Sequence, residues 1–247
     1  MSFRVTPSVS STRGKDKSVQ YWFLWAGLIA PILFATVVMI DGFFKPGYSA
    51  ADEAISYLEV GANGWIQQAN FILFGLLLIV FTVGYVRRMY PIFGRIWLYI
   101  IGTFLVLSHL GWIIAGLFVP NPYLTPQNNL HAVLHQLSPI IIFLLLAIAS
   151  FILGTKLVFT RGWRIYGWYC LIIGLLMTIF PIVSLVYLIN PALVGNFVGN
   201  VNSRSSNDGV TNRIVLLVGP LAWYLISAAV GMLHTNQKVE TSKDLEE

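Results

Sequence analysis

The chain has 247 residues, of which 57% are hydrophobic and 14% aromatic, while only 10% carry charge. Soluble domains hold about 25% charged residues, so a water-surrounded globule is excluded and the medium is largely lipid. The net charge of +5 comes without a basic stripe interleaved with aromatics, which excludes a nucleic-acid footprint.

Residues 1–20 are rich in Ser, Thr and basic side chains and lack apolar periodicity, so they are expected to form a disordered cytoplasmic tail. Six apolar runs follow, approximately Tyr21 to Ile40, Ile66 to Val86, Ile96 to Val119, Leu137 to Phe159, Trp163 to Ile189 and Arg213 to Leu233. A helix needs about 20 apolar residues to cross a hydrocarbon core about 30 Å thick. A lipid-exposed backbone must also close its own hydrogen bonds, and these runs lack the alternation of barrel strands. The expected fold is an all-α transmembrane bundle of six helices, one membrane domain over residues 21–234, with residues 235–247 as a second cytoplasmic tail. The first run is longer than a signal-peptide core and no A-x-A-like site follows it, so it is read as a retained span.

With the N-terminus inside, twelve of the fifteen Lys and Arg residues fall on the inner side, leaving Lys45, Arg204 and Arg213 outside. The positive-inside rule then places both termini in the cytoplasm of a multi-pass cell-membrane protein. The sole cysteine, Cys170, lies inside the fifth run, which excludes an intrachain disulfide and any cysteine metal motif.

The informative residues sit in the three long outer connections. The first, Asp41 to Trp65, holds Asp41, Asp52, Glu53 and Glu59. Pro46 and Gly47 mark a turn, Ser49 and Asp52 form a capping-box-like start, and Gly61 and Gly64 end the segment. A short helix from Ala50 to Leu58 is predicted, with Ile55 and Leu58 toward the bilayer or the bundle and Asp52, Glu53 and Glu59 toward water. In the second connection, Thr125 before Pro126 is a helix start. Asn128, His131, His135 and Ser138 then recur at helical spacing on one face. Pro139 removes the hydrogen bond its N–H would give to the carbonyl of His135, a freed acceptor suited to a polar pocket. The third, Asn190 to Asn212, is rich in Asn, Gly and Ser and is expected to be mobile, with an exposed Asp208–Arg213 pair worth little.

His131 and His135, four residues apart, can chelate one metal from a single helix, and His109, roughly 15 Å below Val119, can supply a third nitrogen to a zinc ion. The metalloprotease motif H-E-x-x-H is broken by Ala132, so a general base would come from Asp41, Asp52 or Glu53. Each histidine also has a structural reading: His109 as a hydrogen-bonding tie between helices, His131 and His135 as interfacial residues. Haem ligation by His109 and His135 is disfavoured because paired histidines on opposing helices are lacking. Transport is disfavoured because no acid lies mid-span. Aromatic groups such as Tyr21, Trp22 and Trp25 fit the headgroup level at span ends. No Walker A loop, dinucleotide fingerprint or G-x-S-x-G occurs.

Several landmarks recur in order: Pro46, Gly47, Tyr48, Ser49, Ile55, Ser56 and Leu58 after the first span, Gly116 to Pro122 at the end of the third, LHAVLH entering the fourth, and Gly209, Arg213 and Trp223 in the last. In these the chain resembles the bacterial and archaeal membrane family called domain of unknown function 998, over about residues 22–233. Asn121 and Asn207 stand where acids are expected in relatives. The resemblance implies a six-span integral membrane protein and no activity.

The sequence thus predicts a polar outer pocket built from His109, His131, His135, Asp41, Asp52, Asn128, Ser138 and Arg213. Its leading use is non-enzymatic binding of a lipid, a small apolar ligand or a membrane partner. The competing use is metal-dependent hydrolysis of a lipid, with zinc on the three histidines.

Overall fold

The computed structural model describes residues 10–122, 125–126, 128–189 and 208–243. With no water to hydrogen-bond it, a lipid-embedded backbone coils on itself, and no strand occurs among the described residues. The helices are α1 (Ser10–Phe44), α2 (Trp65–Leu117), α3 (Leu130–Leu157), α4 (Arg164–Ile189), α5 (Asp208–Leu216) and α6 (Ala222–Lys243). A π-helical turn, Leu217–Leu221, joins α5 to α6 around Pro220, whose missing N–H removes one rung of the α ladder.

Among the described residues five helical runs are long and apolar enough to cross a membrane. One of them, α2, has 53 residues and if straight would reach about 80 Å. It is broken at Gly94, where φ is 72° and ψ 179°, a left-handed geometry that a side chain resists. The two arms fold back on each other. Phe71 and Phe74 of the first arm meet Trp112 of the second at ring distances of 5.9 and 4.9 Å, and Thr82 meets His109.

Helices pack in chain order, α1 on α2, α2 on α3 and α3 on α4, and α6 returns to α1. Hydropathy does not distinguish their faces, because both are apolar. α1 buries Leu24, Ala30, Phe34 and Val38 while exposing Ile29, Ile32, Met39 and Ile40. α4 buries Tyr166, Cys170, Ile173 and Met177 and exposes Ile172, Leu175 and Ile179. The inward stripe carries the aromatic and small residues that interlock, and the outward one meets acyl chains. Polar groups add ties between helices: the Tyr85 and Tyr166 hydroxyls lie 2.7 Å apart, and Tyr166 donates to Ser227 Oγ at 2.7 Å.

Several local expectations change. α1 begins upstream of the apolar run, so residues 10–20 continue a helix, and residues 1–9 and 244–247 lie outside the described residues. The segment predicted as a helix from Ala50 to Leu58 is a turn followed by a 3₁₀ helix, Ile55–Glu59. α3 starts at Leu130 rather than after Thr125, because the Asn129 side chain accepts from Ala132 N at 2.8 Å and supplies the cap. Most of the third long connection, residues 190–207, lies outside the described residues, and with it the expectation of its mobility.

Candidate functional site

One end of the bundle is closed by a cap, residues 45–64, whose shape begins with its own sequence. The Asp52 N–H donates to Ser49 Oγ at 3.4 Å and the Ser49 N–H donates to Glu53 Oε1 at 3.2 Å, reciprocal contacts like those of a capping box, while Ser49 Oγ donates to Asp52 Oδ2 at 2.6 Å. Ile55 and Leu58 point into the core at 4% and 0% exposure, as their spacing predicts. Glu59 does not turn to water as expected. It is 1% exposed, because the one-turn 3₁₀ helix sets it beside Leu58 against the bundle.

Cationic side chains then fix the cap to the helices. Lys45, just past α1, donates from Nζ to the carbonyls of Leu58 and Val60 at 2.7 and 2.5 Å. Arg213 of α5 donates to Glu53 O at 3.1 Å, Gly209 O at 2.9 Å and the Tyr48 hydroxyl at 2.6 Å. Its guanidinium also lies 5.7 Å from the Tyr48 ring centre. Asn212 Oδ1 accepts from Ile55 N at 3.2 Å, and Ala51 O accepts from Val210 N at 3.1 Å. Gly209 permits this docking, since a Cβ there would stand 2.4 Å from Ala50 O.

His135 enters from α3. Its Nδ1 lies 3.0 Å from Ala115 O and 2.7 Å from Phe118 O. Carbonyls only accept, so Nδ1 carries the proton and donates to both. The last carbonyls of a helix lack intrahelical partners, and His135 thereby caps the end of α2. The same Nδ1 is 3.4 Å from Glu59 Oε2. Its single proton is already shared between two carbonyls, so this contact is electrostatic. Both Glu59 carboxyl oxygens remain buried without a hydrogen-bond partner.

Burial raises the Glu59 carboxyl to about 9, against the opposing pull of the Lys45 charge. The group is therefore neutral near pH 7, with one O–H to give and one oxygen to receive. Desolvation lowers the Lys45 ammonium, while Asp41, Glu53 and Glu59 counteract it. Desolvation raises the Tyr48 phenol, and Arg213 opposes that shift.

A family model described as "Protein of unknown function (DUF998)" matches residues 28–230. The chain belongs to the DUF998 family. No curated protein and no solved structure matches it. The match spans the whole DUF998 cap and everything it docks against, from Asp41 through Glu59 and His135 to Arg213.

Of the residues singled out from sequence, Asp41 and Arg213 belong to this cluster, with Asp41 Oδ2 buried and without a hydrogen-bond partner. Asp52 serves the capping box. Ser138 is buried, and its hydroxyl donates to His135 O at 2.7 Å, so the carbonyl freed by Pro139 is satisfied within its own turn. Asn128 is exposed. Of the three histidines, His131 is exposed with its ring 5.4 Å from that of Phe118. His109 is fully buried, with Nδ1 3.2 Å from Thr82 Oγ1. Thr82 gives its hydroxyl proton to Leu78 O, so His109 Nδ1 is the donor to Thr82, a tie between the two arms of α2. The histidines are thus committed to three separate environments. Among the described residues no group of three or more His, Cys, Asp or Glu is placed to hold a metal ion.

Glu59, Lys45 and Tyr48 were not singled out as site residues. The available signals were a glutamate closing the apolar segment ISYLE and a lone lysine outside the basic loops.

Proposed function

We propose that this DUF998 protein is a six-span, non-catalytic protein of the cell membrane, with both termini cytoplasmic and its cap at the outer surface, where it binds the polar head of a lipid. The six-span count is supported by Gly94, which divides α2 into two lengths, each exceeding the roughly 20 residues a span needs. The orientation is supported by the distribution of Lys and Arg.

The binding reading is carried by Glu59, a neutral buried carboxyl with no hydrogen-bond partner on either oxygen. Leaving a buried polar group unpaired costs about 1–3 kcal/mol. A hydroxyl or amide on a lipid head offers both the acceptor and the donor that this carboxyl lacks. Entry requires the cap to lift, and Gly47 and Gly61, with φ of 75° and 93°, stand at its two ends. Non-catalytic use follows from His135, whose Nδ1 proton is engaged in capping α2 rather than facing a substrate.

The test is lipid analysis by mass spectrometry of protein purified in mild detergent. Wild type and Glu59→Gln, which keeps a neutral donor and acceptor, retain the same lipid, whereas Glu59→Ala loses it. Equal retention by all three proteins would sink the reading.

A further inference from the structure

We propose a second lipid site at the opposite end of the bundle: the turn between α3 and α4 binds the phosphate of an anionic phospholipid. An open cavity of about 430 Å³ lies there, lined by Val158, Phe159, Thr160, Arg161, Gly162 and Arg164. Both arginines are exposed. Two other arginines at this end are engaged: Arg88 donates to Gly231 O at 3.2 Å, and Arg95 to the Tyr99 hydroxyl at 3.3 Å while lying over its ring. Among the described residues Arg161 and Arg164 have neither an ion pair nor a side-chain hydrogen bond.

No Asp or Glu occurs between Glu59 and Asp208. Among the described residues no carboxylate pairs with either arginine, which leaves both open to an anion from outside the chain. A planar guanidinium matches the paired oxygens of a phosphate, and two of them three residues apart face one cavity.

Two apolar side chains decide between a lipid and a free phosphate. Phe159, which lines the cavity, and Ile165, next to Arg164 in the sequence, are 89% and 88% exposed. Such residues find no partner in water, but they lie alongside acyl chains when a phospholipid head occupies the cavity. Basic pockets at helix ends on the cytoplasmic side of membranes bind anionic heads in this way. Assignment to the inner leaflet rests on the termini-inside orientation proposed above, whereas the binding itself does not.

The experiment uses the full chain in detergent micelles doped with equal phosphatidylglycerol and phosphatidylcholine, with retained lipid counted by native mass spectrometry. Wild type retains phosphatidylglycerol preferentially. The Arg161→Gln/Arg164→Gln variant lowers that retention about tenfold with an unchanged melting temperature, and Arg87→Gln, on the neighbouring turn, leaves it intact. Equal loss in both variants would reduce the effect to net charge and overturn the site. Soluble glycerol phosphate binding as tightly as phosphatidylglycerol would overturn the lipid assignment. Accessibility labelling of a cysteine introduced at Arg161 tests the leaflet separately, so a failed orientation and a failed site are told apart.

Discussion

The two ends of this molecule handle charge in opposite ways. At the cap end, Lys45 and Arg213 spend their donors on backbone carbonyls of the loop, and a carboxyl is buried beneath them. At the other end, Arg161 and Arg164 face an open cavity without partners among the described residues. Charge that terminates on backbone builds structure, because each guanidinium or ammonium replaces the water a loop carbonyl would otherwise need. Charge left open is available to the membrane surface. The contrast predicts that stability depends on the first end and anionic lipid on the second.

The largest expected effect is on pH. Burial raises the Glu59 carboxyl from its ordinary 4.5 to about 9, so in that interval the folded protein holds a proton the unfolded chain releases. Its contribution to stability is complete below pH 4.5 and declines until pH has risen through 9. Thermal unfolding in detergent across this range reads the slope, and Glu59→Gln flattens it. A wild-type slope as flat as that variant's would remove the buried acid from the account.

Arg213→Ala comes next, at about 3 kcal/mol, because it removes three side-chain hydrogen bonds, to Glu53 O, Gly209 O and the Tyr48 hydroxyl, and ends the cation–π contact with Tyr48. Hydrogen exchange localises the loss to residues 48–60, whereas uniform loss across the bundle would contradict a local clamp. His135→Phe removes the donor to Ala115 O and Phe118 O at a cost of about 2 kcal/mol. Faster exchange at the end of α2 is its signature, and unchanged protection there would show that His135 does not cap that helix. Tyr48→Phe, losing only the hydroxyl beside Arg213, costs about 1 kcal/mol. Smallest is Arg161→Gln with Arg164→Gln, within about 0.5 kcal/mol. A larger destabilisation would mean that the basic turn also serves the fold and would erase the contrast.

Much of the cap was legible in its residues. The Ser49–Asp52 contact, the shared face of Ile55 and Leu58 and the glycine that ends the segment could be read because they depend on neighbours within a few positions, although the helix expected from Ala50 is a turn. Glu59 was misplaced toward water. Its burial depends on His135, Lys45 and Gln68 converging from three helices or their ends, and Gln68 Nε2 donates to Glu59 O at 3.3 Å. The histidine face of α3 shows the same division. The helical spacing holds for His131, His135 and Ser138, whereas Asn128 lies before α3, and His131 is exposed while His135 is buried against the end of α2. The carbonyl released by Pro139 was also read correctly, yet Ser138 satisfies it locally rather than leaving it for a ligand.

By itself the sequence determined the membrane class, the helical state and the placement of the apolar runs, since each follows from local hydropathy and the backbone's need to satisfy itself in lipid. Tertiary structure alone decided which apolar face turns inward, which histidine meets a carboxyl and which arginines remain free. In lipid both faces of a helix are equally apolar, so hydropathy gives no preference between them. Packing and the pairing of scarce polar groups across helices make that choice.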